Sequence, residues 1–391
     1  MTMYFNQAAT TWPKPEVVYE AVDRCFRSLN SPERTTSDEG ERSAALMDDC
    51  RDHVAKFFGI NAPSRLIFTP SATYSLNLAI HGIDWQSGDR IVMSGLEHHA
   101  VSRPIRKVAR CRGLEFDVAP YDPGNPIDLD FVEDRLRKGN VKLLACTMAS
   151  NVTGEILPVE ELGRLADRYG ALFLVDAAQA AGAVPIDVEA IQADLLAFAG
   201  HKGLFGPPGG GGLFVRKGIE LETLAEGGTG KDSGKHEMSK RYPSTYEVGT
   251  HNLLAIVGMT AGVRWIEQNG IDSLRDHELE LTRRFLEGVR HIPDVTVFGT
   301  QEVEHKTAVV SLVLAGITPA KTAEWLARQH NVASRAGYHC APLAHETIGT
   351  LPGGGTIRFS FSFSNTLEEV DRLLEFLNEV PRLTGQLEWV V

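Results

Sequence analysis

Short apolar runs alternate with stretches of helical spacing along the first two thirds of the chain. Leu66–Thr69 is an apolar run, and from Ala72 onward Leu76, Leu78, Ala79 and Ile80 recur at helical intervals. Residues 90–93 form another strand-like run, followed by a helix-compatible stretch over 100–112. Residues 142–147 and 172–175 have unbroken apolar centres, with Leu162, Leu165 and Ala166 at helical spacing between them. Runs at 194–198 and 212–215 close the series. Strands that are apolar throughout and alternate with helices predict a largely parallel sheet covered on both faces. Ligands in such sheets bind beyond the carboxyl ends of the strands, so the polar residues just after each run are the candidates for chemistry.

From about Leu253 the pattern changes. Helices are predicted over 255–268, 271–291, Pro319–His330 and 367–380, with strands at Val309–Leu314 and 357–363. That alternation reads as a smaller α/β domain. The expected division is an N-terminal segment over 1–14 packing with the small domain, a large domain over 15–255 and a small one over 256–391. The stretch 227–244 has no apolar period and carries Lys231, Lys235 and Lys240, which reads as a long exposed loop.

Composition narrows the class. A net charge of −12 lacks the basic face that nucleic acid requires. No apolar run reaches the roughly 20 residues of a spanning helix. The N-terminus shows no secretory pattern, so a cytoplasmic location is expected. Five scattered cysteines without a C-x-x-C pair read as free thiols rather than a disulfide framework or a zinc site.

Chemistry gathers after the strands. Ala199-Gly200-His201-Lys202-Gly203 places a lysine between glycines, where it can approach a ligand closely and condense with an aldehyde. The following glycine run precedes a strand rather than a helix, so it is not a dinucleotide fingerprint. Leu174-Val175-Asp176-Ala177-Ala178-Gln179 puts an acid at a strand end, suited to a pyridinium nitrogen or, more plainly, to capping a helix. Glu97-His98-His99 offers a ring to stack or a proton carrier, and no ligand-spaced partner completes a metal set. Pro70-Ser71-Ala72-Thr73 opens a helix whose free amides suit a phosphate.

Together these segments resemble the class V aminotransferase-like pyridoxal-phosphate enzymes, and within them the cysteine desulfurase and selenocysteine lyase family. The resemblance runs from Asn6-Gln7-Ala8-Ala9-Thr10-Thr11 to Arg358. It implies the type I fold, a large mostly parallel sheet domain plus a smaller α/β domain, and pyridoxal 5′-phosphate on Lys202. It further implies that His98 stacks on the cofactor, Asp176 holds its ring nitrogen, and Asn151 and Gln179 border the ring. Ala72, Thr73 and His201 are implied at the phosphate, with Thr250 reaching the site of the other subunit in a homodimer. Arg335-Ala336-Gly337-Tyr338-His339-Cys340 is similar to the nucleophile segment of the group II desulfurases, and Arg358 matches the arginine that grips the substrate carboxylate, with Asn151 and Arg335 also implied at the substrate.

The resemblance implies that Cys340 takes sulfur from L-cysteine as a persulfide, leaving L-alanine, and that a sulfur acceptor protein follows. A thiol attacks as its thiolate, and His339, Arg335 and the cofactor are the groups expected to favour that form. L-selenocysteine is the alternative substrate. Transamination or a kynureninase-like cleavage, with Cys340 incidental, is a rival on the same scaffold; a non-catalytic scaffold is a rival of another class. Ala199 and Asn6 depart from the family pattern, in which serine or threonine, and aspartate, are common, as does the run from Ala341 to Gly349.

Overall fold

The structure is a computed structural model describing residues 2–28, 37–229, 234, 236–238 and 241–383. The lysines expected on the 227–244 loop, Lys231, Lys235 and Lys240, lie outside the described residues.

Thirteen strands occur among the described residues, taken here in chain order. β1 is Met3–Tyr4, β2 Leu66–Thr69, β3 Arg90–Ser94, β4 Glu115–Ala119, β5 Val141–Thr147, β6 Leu172–Asp176, β7 Leu195–Ala199 and β8 Gly211–Val215. β9 is Val295–Phe298, β10 Val309–Leu314, β11 Val332–Ala333, β12 Arg335–Gly337 and β13 Thr356–Ser360. Seven of them form one sheet in the order β2-β8-β7-β6-β5-β3-β4. β4, β3, β5, β6 and β7 run parallel, while β8 is antiparallel to both β7 and β2. A parallel return needs a crossover, usually a helix; the helix-free turn between β7 and β8 provides none, so the chain comes straight back.

Alternation along these strands sends successive side chains to opposite layers. Phe173 and Val175 of β6, with Leu196 and Phe198 of β7, join one buried cluster, while Leu174, Leu195 and Ala197 join the cluster on the other face. Each large apolar side chain buried this way contributes about 1.5–3 kcal/mol. Gly212 of β8 faces the Phe198 ring so closely that a Cβ there would stand 2.3 Å from it, which explains part of the glycine run.

The helix Leu253–Asn269 starts where the second pattern was expected, but its buried face belongs to the larger core through Ile256, Val257, Met259, Val263 and Ile266. The division at 255/256 therefore falls inside a helix that covers the large sheet. The smaller core begins with Leu279 and Leu281 of the helix Ile271–Val289 and includes Met3 and Phe5 of the N-terminal segment. Its sheet is antiparallel, in the order β12-β13-β10-β9, while β1 pairs with β11. No helix among the described residues is long and apolar enough to cross a membrane.

A buried ion pair ties the segment before Thr250 to the large sheet. Arg51 meets Glu247 through two bonds of 2.7 and 2.8 Å and also donates to the Leu66 carbonyl at 2.7 Å. The Phe68 amide donates to the same carboxylate at 2.6 Å. Glu247→Ala leaves the guanidinium buried and unpaired, an expected loss of about 3–5 kcal/mol. A lowered midpoint of guanidinium unfolding is the readout, and replacing Arg51 by Met and Glu247 by Leu together should recover only part of it, because the Phe68 amide still lacks its acceptor.

Candidate active site

The parallel strands present their carboxyl ends to one edge of the sheet, and the expected residues stand there. Thr69 of β2 leads to Ser71, whose hydroxyl caps the helix Ala72–Gly82 by accepting from the Tyr74 amide at 3.2 Å. β3 leads to Glu97 and His98, β5 to Asn151, β6 ends on Asp176 and β7 leads into Lys202. A cavity of about 210 Å³ is lined by Lys202, Asp176, Gln179, His98, Ala72, Thr73, His201, Asn151, Arg335 and Arg358. Ten residues singled out from separate stretches of sequence thus share one wall. Ala8 and Ala9 line it too, because the Gln179 amide holds the Ala8 carbonyl at 2.9 Å.

Thr250 does not join this cavity. It is exposed and lines a neighbouring pocket with Thr69, Pro70, Tyr74 and Gly209, on the outer side of the same helix start.

Burial sets the charge states. Lys202 is half-buried, and desolvation pushes its ammonium down to about 8 against the opposing pull of Asp176. Asp176 is raised by burial, while the Ala178 amide, donating at 2.9 Å, and Lys202 pull it back. Glu97 is pushed up to about 8, chiefly by burial, and accepts from the Ser94 hydroxyl and the Thr147 amide, each at 2.6 Å. Burial thus raises both Glu97 and Asp176, an arrangement the sequence did not signal beyond the place of Glu97 beside His98.

His98 caps the helix His99–Arg112, its Nδ1 accepting from the Ala100 amide at 3.0 Å. Only an unprotonated Nδ1 can accept, so the ring hydrogen sits on Nε2. Burial, with Lys202 adding to it, lowers its pKa to about 3, so His98 is a neutral donor here rather than a group titrating near pH 7. His201 is likewise lowered to about 4 by burial, and its Nδ1 is buried with no partner.

Arg358 is buried in β13, donating to the Asn151 carbonyl at 2.8 Å and to Asn6 Oδ1 at 3.3 Å; its Nε has no partner. Burial pulls it down to about 9, and Arg335, directly opposite on β12, adds to that. Neither arginine is ion-paired with a carboxylate among the described residues. Asn6, neutral where an acid would have cancelled the charge, leaves both guanidinium groups available to an anion.

Cys340 is exposed beside the cavity, its Sγ 3.1 Å from Arg335 Nη2. Its carbonyl accepts from the His99 amide at 2.8 Å, and the His339 carbonyl accepts from the Asn151 side chain at 2.8 Å. Of the two side chains expected to act on it, Arg335 alone brings positive charge to the thiol. Burial pushes His339 down to about 2, so it is neutral. The other four cysteines are free; Cys25, Cys50 and Cys146 are buried, while Cys111 is exposed.

The site thus combines a low-pKa lysine, a buried carboxylate, a helix start for an anion, two unneutralised arginines and a thiol. That set suits an amine condensing with a bound phosphorylated aldehyde beside a carboxylate-bearing substrate. The sequence profile described as aminotransferase class-V matches residues 3–373, and the chain belongs to that family. A probable cysteine desulfurase of Pyrococcus abyssi is 34% identical over 97% of this chain and 94% of the relative. One of Mycolicibacterium paratuberculosis is 32% identical, with the chain spanning 55% of its length. Among solved structures, a cysteine desulfurase from Thermococcus onnurineus superposes with a TM-score of 0.91 at 32% identity, covering 99% of this chain and 95% of that one. The cysteine desulfurase CsdA of Escherichia coli follows at 0.86 and 27%, covering 98% and 95%. The expected family and its type I fold are borne out.

The lysine's charge state is directly measurable. Reductive trapping of a small aldehyde on Lys202 should rise as pH passes through about 8. In Asp176→Asn, which lacks the carboxylate holding the ammonium, the rise should come at lower pH; peptide mass mapping reads both.

Proposed function

We propose that the chain is a pyridoxal-phosphate-dependent cysteine desulfurase that converts L-cysteine to L-alanine and takes up the sulfur on Cys340. The observation that carries this reading is the thiol held 3.1 Å from Arg335 beside the cavity that contains Lys202 and Arg358. The residues fit the cofactor: Lys202 for its aldehyde, Asp176 for its ring nitrogen, His98 over its ring, Gln179 and Asn151 at its edge. Ala72 and Thr73 at the helix start and His201 suit its phosphate. When bound, pyridoxal phosphate supplies an electron sink for bonds broken next to the substrate amine.

The chain's own groups do the rest. Arg358 holds the substrate carboxylate with its unpaired donors, which orients the side-chain sulfur toward Cys340. Lys202, with a pKa of about 8, accepts and returns protons near neutral pH. His98 presents a neutral Nε2–H to the bound ligand. The Cys340 thiolate attacks the substrate sulfur; an S–S bond forms, the Cβ–S bond breaks, and its electron pair stays on carbon until a proton completes alanine. A thiol acceptor then removes the persulfide sulfur, in this reading a partner protein. The exposed Thr250, turned away from its own cavity, completes the phosphate site of a second subunit in a homodimer. L-Selenocysteine fits the same groups; there the Cβ–Se electron pair stays on carbon and selenium leaves as the element, without needing the thiol.

Alanine and sulfide release from L-cysteine, and alanine and selenide release from L-selenocysteine, both with dithiothreitol as reductant, test the reading. Cys340→Ala should abolish the first and retain the second. A wild type that releases alanine from neither substrate overturns the assignment in favour of another class-V reaction. Arg358→Ala should raise KM for L-cysteine roughly ten- to a hundredfold, the loss of a hydrogen-bonded charge pair.

A further inference from the structure

Behind Cys340 lies a chain of buried polar side chains that the proposed reaction does not use. His339 Nε2 lies 3.1 Å from the Arg335 carbonyl, and His339 Nδ1 lies 3.2 Å from His345 Nε2. His345 Nδ1 lies 2.7 Å from the Thr350 hydroxyl. The order of donors follows from chemistry. A carbonyl only accepts, so His339 Nε2 carries the hydrogen and its Nδ1, in a neutral ring, accepts. His345 Nε2 must then donate, its Nδ1 accepts, and the Thr350 hydroxyl donates. Burial pushes His339 down to about 2 and His345 to about 4, which agrees with two neutral rings. Each tautomer is fixed by the next.

The backbone that this chain supports is strained. His339 and Cys340 both occupy the left-handed region, with φ of 50° and 58°, which side chains other than glycine rarely adopt in succession. Such conformations cost about 1–3 kcal/mol each and persist where the surroundings over-determine them. The backbone of the turn is held at the Cys340 carbonyl by the His99 amide, at the His339 carbonyl by Asn151 and at the Tyr338 carbonyl by the Ala341 amide. Across the turn, the bond from His339 to the Arg335 carbonyl links its first residue to the one before Cys340. The Arg335 side chain crosses the same span to reach Sγ. Orientation of the His339 ring thereby fixes the start of the turn, and His345 fixes the ring.

We propose that His345 is a positioning residue for the sulfur-accepting thiol: acting through His339, it holds the 335–340 turn in the shape that keeps the Arg335 guanidinium on Cys340. This rests on the reading of Cys340 as the acceptor, but the coupling it describes exists without substrate. His345→Leu removes the donor to His339. In His345→Gln the side-chain amide keeps a donor near the place of Nε2.

Two readouts on the cofactor-loaded enzyme test it: alkylation of Cys340 by iodoacetamide at fixed pH without substrate, and kcat and KM for L-cysteine with dithiothreitol. His345→Leu should slow alkylation and lower kcat roughly tenfold or more, as misplacement of a reacting group does, with KM unchanged because Arg358 is intact. His345→Gln should restore both to within about threefold of wild type. If His345→Leu fails to fold, Thr350→Val tests the chain from its other end and should move both readouts in the same direction. Wild-type alkylation in the folded Leu variant, or in Thr350→Val where that stands in for it, overturns the proposal. So does a Gln variant as impaired as Leu. A wild type without alanine release, but with alkylation that follows the pattern above, sinks the desulfurase reading and leaves the positioning role standing.

Discussion

Everything at the site depends on one tight return of the chain between β7 and β8. Lys202 sits in it, and the turn is closed on itself: the Gly206 amide donates to the Gly200 carbonyl at 2.7 Å, and Phe205 donates to the Lys202 carbonyl at 2.9 Å. Its glycines are required by contact. A Cβ on Gly203 would meet the Ala181 carbonyl at 2.5 Å, and one on Gly200 the Met259 sulfur at 2.8 Å. A lysine has four flexible bonds, and only a backbone without freedom gives its amine a defined approach to a ligand. The antiparallel β8 follows from the same shortness, so the single reversed strand in the sheet and the fixed lysine share one cause.

Charge supplies the second constraint. The cavity gathers Lys202, Arg335 and Arg358 against the Asp176 carboxylate, with Glu97 neutral beside it. Burial lowers the proton affinity of Lys202 and of Arg358, and the cations around them add to that lowering. The imbalance is what an anionic ligand relieves. Asn6 matters here because it contacts Arg358 without neutralising it. Two histidines beside these cations, His98 and His201, stay neutral for the same reason.

Much of this was legible in the sequence because strand ends in a parallel sheet are predictable places, and Lys202, Asp176, His98, Asn151 and Thr73 each follow an apolar run. Strand Val309–Leu314 and helix Pro319–His330 were bounded correctly from periodicity alone. What stayed hidden depends on burial. A histidine's charge state is hidden until its surroundings are known: burial with Lys202 nearby lowers His98, and the helix it caps fixes its tautomer. The neutrality of Glu97 has no signal in the residue order. His345 stood only as part of a departure from the family pattern, since nothing in spacing shows that it lies against His339. The boundary expected near residue 255 falls inside helix Leu253–Asn269, whose apolar spacing looks the same whichever core it serves.

The N-terminal segment carries a consequence for the order in which the molecule is built. Residues at the very start of the chain pair with β11, reach β13 through the Ser360 amide and hydroxyl, and finally clasp the carbonyls of His201 and Lys202 through Thr10 and Thr11. These partners are separated from it by some of the longest stretches of chain in the structure, and closing such loops is entropically slow. The contacts of Thr10 and Thr11 need only the chain as far as Lys202, whereas those of residues 3–8 also need β11 and β13. Ala8 and Ala9 lie between these two sets of contacts, so the part of the cavity wall they form is complete only when the small core is joined to the large sheet.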